Sequence, residues 1–172
     1  LVRRCDGGCG AFCASLGIMD DDTLLLEAIR LAETAIGKDR KCIRAWFVLS
    51  WSHGWRIFSG WTQDRAASLE AARRAVEALM ALAPNDSRFY LARGQIETFA
   101  GNFEPGAADL RKAHELNPND AFILFVLSWN EAAEGNVAVA RELAAQAVRL
   151  SPKDRRIGVA HLTYAMAAFI DH

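Results

Sequence analysis

Cys5, Cys9 and Cys13 recur every four residues, a spacing that on a helix lines one face and gathers thiolates for a metal ion or an iron–sulfur cluster. Two features oppose that chemistry. Asp6-Gly7-Gly8 and Gly10 weaken any helix there, and no Cys-x-x-Cys pair or nearby histidine completes four ligands. The fourth cysteine, Cys42, lies far from the other three in sequence. This is not a disulfide framework, and a reducing, cytoplasmic setting is the simpler expectation. His53, His114, His161 and His172 are dispersed; His114, beside Glu115, reads as a solvated surface residue. No Ser/His/Asp arrangement, phosphate-binding glycine loop or motif of paired carboxylates occurs, so neither catalysis nor a cofactor nor a metal is expected. The side chains left to do chemistry are apolar and aromatic. Trp46, Trp51, Trp55 and Trp61 are one concentration of them, read first as a core cluster and second as a contact surface.

The elements that position such groups follow from composition and period. A chain of 172 residues, 52% hydrophobic and 24% charged, has the makings of one globular domain with a core of its own. A net charge of −1 encodes no long-range attraction to nucleic acid or anionic lipid. No apolar run approaches the ~20 residues that span a bilayer. Val2-Arg3-Arg4 before an apolar stretch has the outline of a signal peptide, but Asp6 and the glycines interrupt it. A start at Leu1 reads as a processed, trimmed or cut chain.

Internal repetition is plain. Pro84, Pro118 and Pro152 stand 34 residues apart, each with Leu two residues before it (Leu82, Leu116, Leu150) and Asp two after it (Asp86, Asp120, Asp154). Gly101-Asn102 recurs as Gly135-Asn136, and Ala113 as Ala147, with the same shift. Within one unit, Ser87 to Ala100 has helical spacing and ends at Gly101, a residue that tolerates the left-handed conformation of a helix C-terminus. A second helix runs from about Glu104 to Leu116, with Pro105 in its first turn and Asn117-Pro118 as its stop. Asp120 is the N-cap expected for the next helix.

This unit resembles the tetratricopeptide repeat at its signature positions. Residues 87–120 carry Gly94 at the eighth, Gly101 at the fifteenth, Phe103 at the seventeenth, Gly106 at the twentieth, Leu110 at the twenty-fourth, Ala113 at the twenty-seventh and Pro118 at the thirty-second position. Residues 121–154 repeat the pattern with Ser128, Gly135, Val137, Ala140, Ala144, Ala147 and Pro152. The resemblance implies an all-α fold, a right-handed α-solenoid of antiparallel helix pairs with about four repeats and a C-terminal capping helix. Residues 1–19 are left unassigned. Residues 20–42 form a degenerate repeat with an amphipathic helix from Asp22 to Gly37, 43–86 a lengthened one, 87–120 and 121–154 regular ones, and 155–171 the cap. Together, 20–172 form one domain.

The surplus of the lengthened repeat falls around His53 to Gln63, read as an extended first helix and a loop at Ser59-Gly60. Phe58 to Asp64 is similar to an aromatic-Gly-Trp-Ser-x-Asp element of repeat regions C-terminal to bacterial adenylate/guanylate cyclase domains, with Thr62 in place of the usual Ser. That likeness implies a regulatory or interaction module of bacterial signalling, not nucleotide chemistry.

The family's groove-facing positions map onto Arg88, Leu91, Gln95, Thr98 and Phe99, and then onto Phe122, Phe125, Trp129, Ala132 and Ala133. An apolar, aromatic inner wall is implied, either as a binding surface for a protein or peptide segment or as packing beneath the terminal helix. Leu91 and Phe125 stand where a carboxylate clamp needs a basic residue, which disfavours recognition of a chain's C-terminus. A non-catalytic interaction scaffold is the first expectation. Self-association through the Trp-rich repeat into a homo-oligomer is the second.

Overall fold

A computed structural model of the chain describes residues 22–153, 161 and 163–165. The described residues form helices and their connectors: α1 (Asp22–Lys38), α2 (Ile43–Phe58), α3 (Arg65–Leu82), α4 (Ser87–Ala100), α5 (Phe103–Leu116), α6 (Ala121–Ala133) and α7 (Val137–Leu150). The helix starts of α4 and α6, and those of α5 and α7, differ by the 34 residues of the sequence period. The unassigned segment 1–19, with Cys5, Cys9 and Cys13, lies outside the described residues. So does the expected cap at 155–171, apart from positions 161 and 163–165.

Punctuation of the chain has local physical causes. Gly101 and Gly135 both adopt φ of +90°, which an L side chain resists, and each closes a helix over a short turn. Asp120 caps α6, its carboxylate accepting from the Phe122 N–H at 2.9 Å. Asp86 does the same for the Arg88 N–H at 2.9 Å. The Phe58 to Asp64 element works as a helix stop and a helix start. Gly60 turns the chain at φ +70°, Trp61 N–H donates to Arg56 O at 3.0 Å, and Asp64 caps α3 by accepting from Ala67 N–H at 2.8 Å. Thr62 Oγ1 lies 2.7 Å from Ser68 Oγ, so a hydroxyl at position 62 ties the connector to the first turn of α3. The surplus of this repeat is spread wider than a loop at 59–60. α2 has 16 residues and α3 has 18, against 14 in α4 and in α5, and the connector spans 59–64.

The chain divides between Ala92 and Arg93 into two compact units. In the first, α2 packs on α1 and on α3. Leu25, Ala28, Ile29 and Ala32 of α1, and Ala72, Ala75, Val76 and Leu79 of α3, are buried at helical spacing. Arg56 of α2 reaches Asp22 at the head of α1 with Nε to Oδ1 at 2.5 Å. In the second unit α6 packs on α5 and on α7. Ala107, Leu110 and Ala113 of α5 and Ala140, Ala144 and Ala147 of α7 are fully buried. Small residues at these places let helices approach closely, as the twentieth and twenty-seventh positions require.

The thiol expectation fails at Cys42. Its side chain is buried at the N-cap of α2 and is disulfide-bonded. Pairing depends on which α-carbons the fold brings within about 7 Å, and sequence spacing does not carry that.

Candidate functional site

The face of α2 that carries Phe47 is an aromatic ladder. Phe47 and Trp51 stack with ring centroids 6.2 Å apart, Trp51 and Trp55 likewise at 6.2 Å, and Trp55 meets Phe58 at 5.0 Å. Steps of four, four and three residues hold one helix face. Buried Ser50 gives the register, because it stands at the eighth position of this repeat, as Gly94 and Ser128 do in the next two. Phe47, Trp51 and Trp55 therefore occupy the fifth, ninth and thirteenth positions. Trp46 and Trp61 are not members. Trp46 turns its Nε1–H to Arg40 O at 2.8 Å, and Trp61 sits in the connector. Phe47 was the residue missed, and the spacing back from Trp51 was the signal for it.

The residues at the same positions of α4 and α6 are mostly interior. Leu91, Gln95 and Thr98 of α4 are buried, as are Phe122 and Phe125 of α6; Arg88, Phe99 and Trp129 are half-buried. Arg88 is engaged by Asp86, Nε to Oδ1 at 2.8 Å, and those hydrogen bonds hold the Asp86 carboxyl below its ordinary range. Thr98 serves a contact between helices: its Oγ1 donates to Gly94 O at 2.8 Å and accepts from Asn130 Nδ2 at 2.7 Å. Asn130 also reaches Phe103 O at 3.2 Å. α6 is buried almost all round, with Trp129 and Ala133 its half-buried members. Ser128 Oγ stands 3.2 Å from Thr163 Oγ1, which places Thr163 against α6.

Charges in the second unit are spent on fastening helices. Arg93 holds Asp109 with two bonds of 2.6 Å, α4 to α5. Arg111 donates to Glu131 Oε1, whose other oxygen accepts from Asn136 Nδ2 at 2.8 Å. Among the described residues no group of three or more His, Cys, Asp or Glu gathers around a common point. None of the described helices is long and apolar enough to cross a membrane.

Among the described residues, His53 of α2 is the strongly perturbed titrating group. Burial, then the Arg56 and Arg74 guanidinium charges, push its pKa down to about 4 from 6.5. The unfolded chain takes up this proton near pH 6.5 and the folded chain only near 4. Stability attached to the neutral ring is thus complete above pH 6.5 and declines as pH falls toward 4. The site is partly open, so solvent screening trims the effect to ~1–2 kcal/mol. Between pH 7 and 5, melting temperature should fall in the parent chain and fall less in His53→Gln; equal slopes would remove His53 as the cause.

No protein-family model matches the chain. It is 33% identical over 92 residues to the SGT1 homolog of Bos taurus. That match covers 54% of this chain but 26% of the relative, so the chain spans about a quarter of the relative's length. Among solved structures, a thermophilic TPR protein of Thermus thermophilus superposes with a TM-score of 0.69 at 20% identity, over 93% of this chain and 92% of that one. MamA superposes at 0.53 and 13% identity, over 87% and 90%. The fold is that of tetratricopeptide-repeat proteins.

Proposed function

We propose that the chain is a non-catalytic interaction module that takes a protein or peptide segment against the groove-facing positions of α4 and α6. The observation that carries this reading is the repeated placement of large apolar groups at the fifth, ninth and thirteenth positions: Phe47, Trp51 and Trp55 on α2, Leu91 and Phe99 on α4, Phe125 and Trp129 on α6. In the second unit the half-buried Phe99 and Trp129 are within reach of a partner, whereas Phe122 and Phe125 are buried. Aromatic groups anchored on a rigid core are the residues that dominate binding energies. Likeness of the element at 58–64 to cyclase-associated repeats favours a bacterial signalling partner.

Selection of a random peptide library against the folded chain, followed by titration of the winners, tests the assignment. Phe99→Ala together with Trp129→Ala should weaken them by about 30-fold or more, the loss of one hot spot. Unchanged affinity in a variant with parental helicity removes these residues from the site. Self-association is the second reading, supported by Phe58, whose ring ends the α2 ladder at 38% exposed. Light scattering that gives monomer mass at every concentration rules it out.

A further inference from the structure

We infer that the Cys42 disulfide is a redox-active link, opened by a small thiol reductant with the Cys42 sulfur as the leaving group. The chain holds four cysteines, Cys5, Cys9, Cys13 and Cys42, and Cys42 is disulfide-bonded. Its partner is therefore one of the three that stand four residues apart in the first thirteen. Cys42 is the N-cap of α2, its side chain makes no capping hydrogen bond, and the first turn of α2 contains no acidic residue. Lys38, Arg40, Lys41 and Arg44 are all exposed and lie within four residues of it along the chain. Asp39 is the single acid in 38–44, and its Oδ1 already accepts from the Lys41 N–H at 2.9 Å.

A disulfide opens when a thiolate attacks one sulfur and the other departs with the bonding electron pair. The sulfur that departs is the one whose negative charge is better stabilised. A helix N-terminus supplies partial positive charge, and neighbouring basic side chains add to it. Cys42 has both, so its sulfur leaves and the sulfur of its N-terminal partner is attacked. Burial alone opposes a charge on sulfur, so the basic groups decide the outcome. Burial also fits the order of attack: Cys42 is 5% exposed, and a leaving group need not be reached from solvent. In the first step a reductant thiolate bonds to the partner's sulfur, and Cys42 departs as a thiolate. In the second step another reductant thiolate attacks the reductant's sulfur in that mixed disulfide. The partner's sulfur departs and takes a proton, and the reductant leaves as its own disulfide, two electrons having passed to the protein. A disulfide that only braced the fold would be better kept in an uncharged setting, where neither sulfur departs readily.

The test incubates the oxidised full chain with reduced glutathione at neutral pH, traps free thiols with N-ethylmaleimide and maps the products by mass spectrometry. Alkylated Cys42, with glutathione on Cys5, Cys9 or Cys13, should exceed the reverse arrangement by about tenfold. Far-ultraviolet circular dichroism should keep its helical signal while the bond opens. Arg40→Gln together with Lys41→Gln, both at exposed positions, should slow the opening by about threefold or more and reduce the excess. Glutathione found mainly on Cys42, or an excess that this variant leaves unchanged, overturns the inference. So does a bond that glutathione opens only after the helical signal is lost, because it is then a brace of the fold. Cys42 alkylated before any glutathione is added overturns it as well.

Discussion

Truncation of Phe125 to alanine should lower the melting temperature by about 6–20 °C. The side chain is wholly enclosed on α6, among neighbours that are themselves enclosed: Leu124, Ile123 and Leu127. Deleting a buried phenylalanine removes its transfer free energy and leaves a cavity, together about 3–5 kcal/mol. At this chain length each kcal/mol displaces the midpoint by about 2–4 °C. Thermal melts followed by far-ultraviolet circular dichroism measure it, with Trp129→Ala as the comparison. Trp129 is half-buried one turn further along α6, and its truncation should cost less than that of Phe125. A shift of Phe125→Ala no larger than that of Trp129→Ala would mean that position 125 lies on an open wall, as the repeat register alone allows.

The contrast between those two residues shows how far sequence reading reaches. Helix limits are legible because chemistry at the ends is local. Gly101 and Gly135 need their left-handed turns, and Asp120 caps the helix that follows it whatever packs above. The 34-residue period then gives α4 and α6 a common register. It does not fix whether the inner side is covered, because cover comes from elements distant in sequence, and Thr163 against Ser128 is one such contact. Leu91, Thr98 and Phe125 therefore have a register in the string of letters, while their depth is invisible there. The Trp-rich repeat shows the same limit. Choosing Phe47 over Trp46 as the ladder's first member requires knowing that Ser50 marks the close-packed face. Cys42 differs again, because a disulfide is a fact about distance.

Gly94→Val is the second large effect, and it tests the close approach on which the second unit is built. A β-carbon placed on Gly94 would stand 2.8 Å from Gly106 O and 2.8 Å from Leu110 Cγ, with Asp109 Cβ at 3.1 Å. The first of these is backbone and does not swing aside, so α4 and α5 must part. Parting them strains the Arg93–Asp109 pair, which spans the same two helices. Overpacking of this kind costs about 1–3 kcal/mol and more when backbone must move. Leaving glycine in a helix interior returns less than ~1 kcal/mol. The clash wins, and a loss of about 3 kcal/mol is expected by chemical denaturation. Gly106, which the sequence marks as a departure from alanine, belongs to the same contact: a β-carbon there would lie 2.7 Å from Thr98 Oγ1 and 2.9 Å from Gly94 O. Its poor helix propensity is the cost of holding Thr98 and Asn130 in register. Gly37 in α1 has nothing within 4 Å of such a carbon, so Gly37→Ala isolates propensity from packing. If Gly94→Val were as benign as Gly37→Ala, the two helices would not meet where the paired glycines place them, and the small-residue logic of this repeat would fail with them.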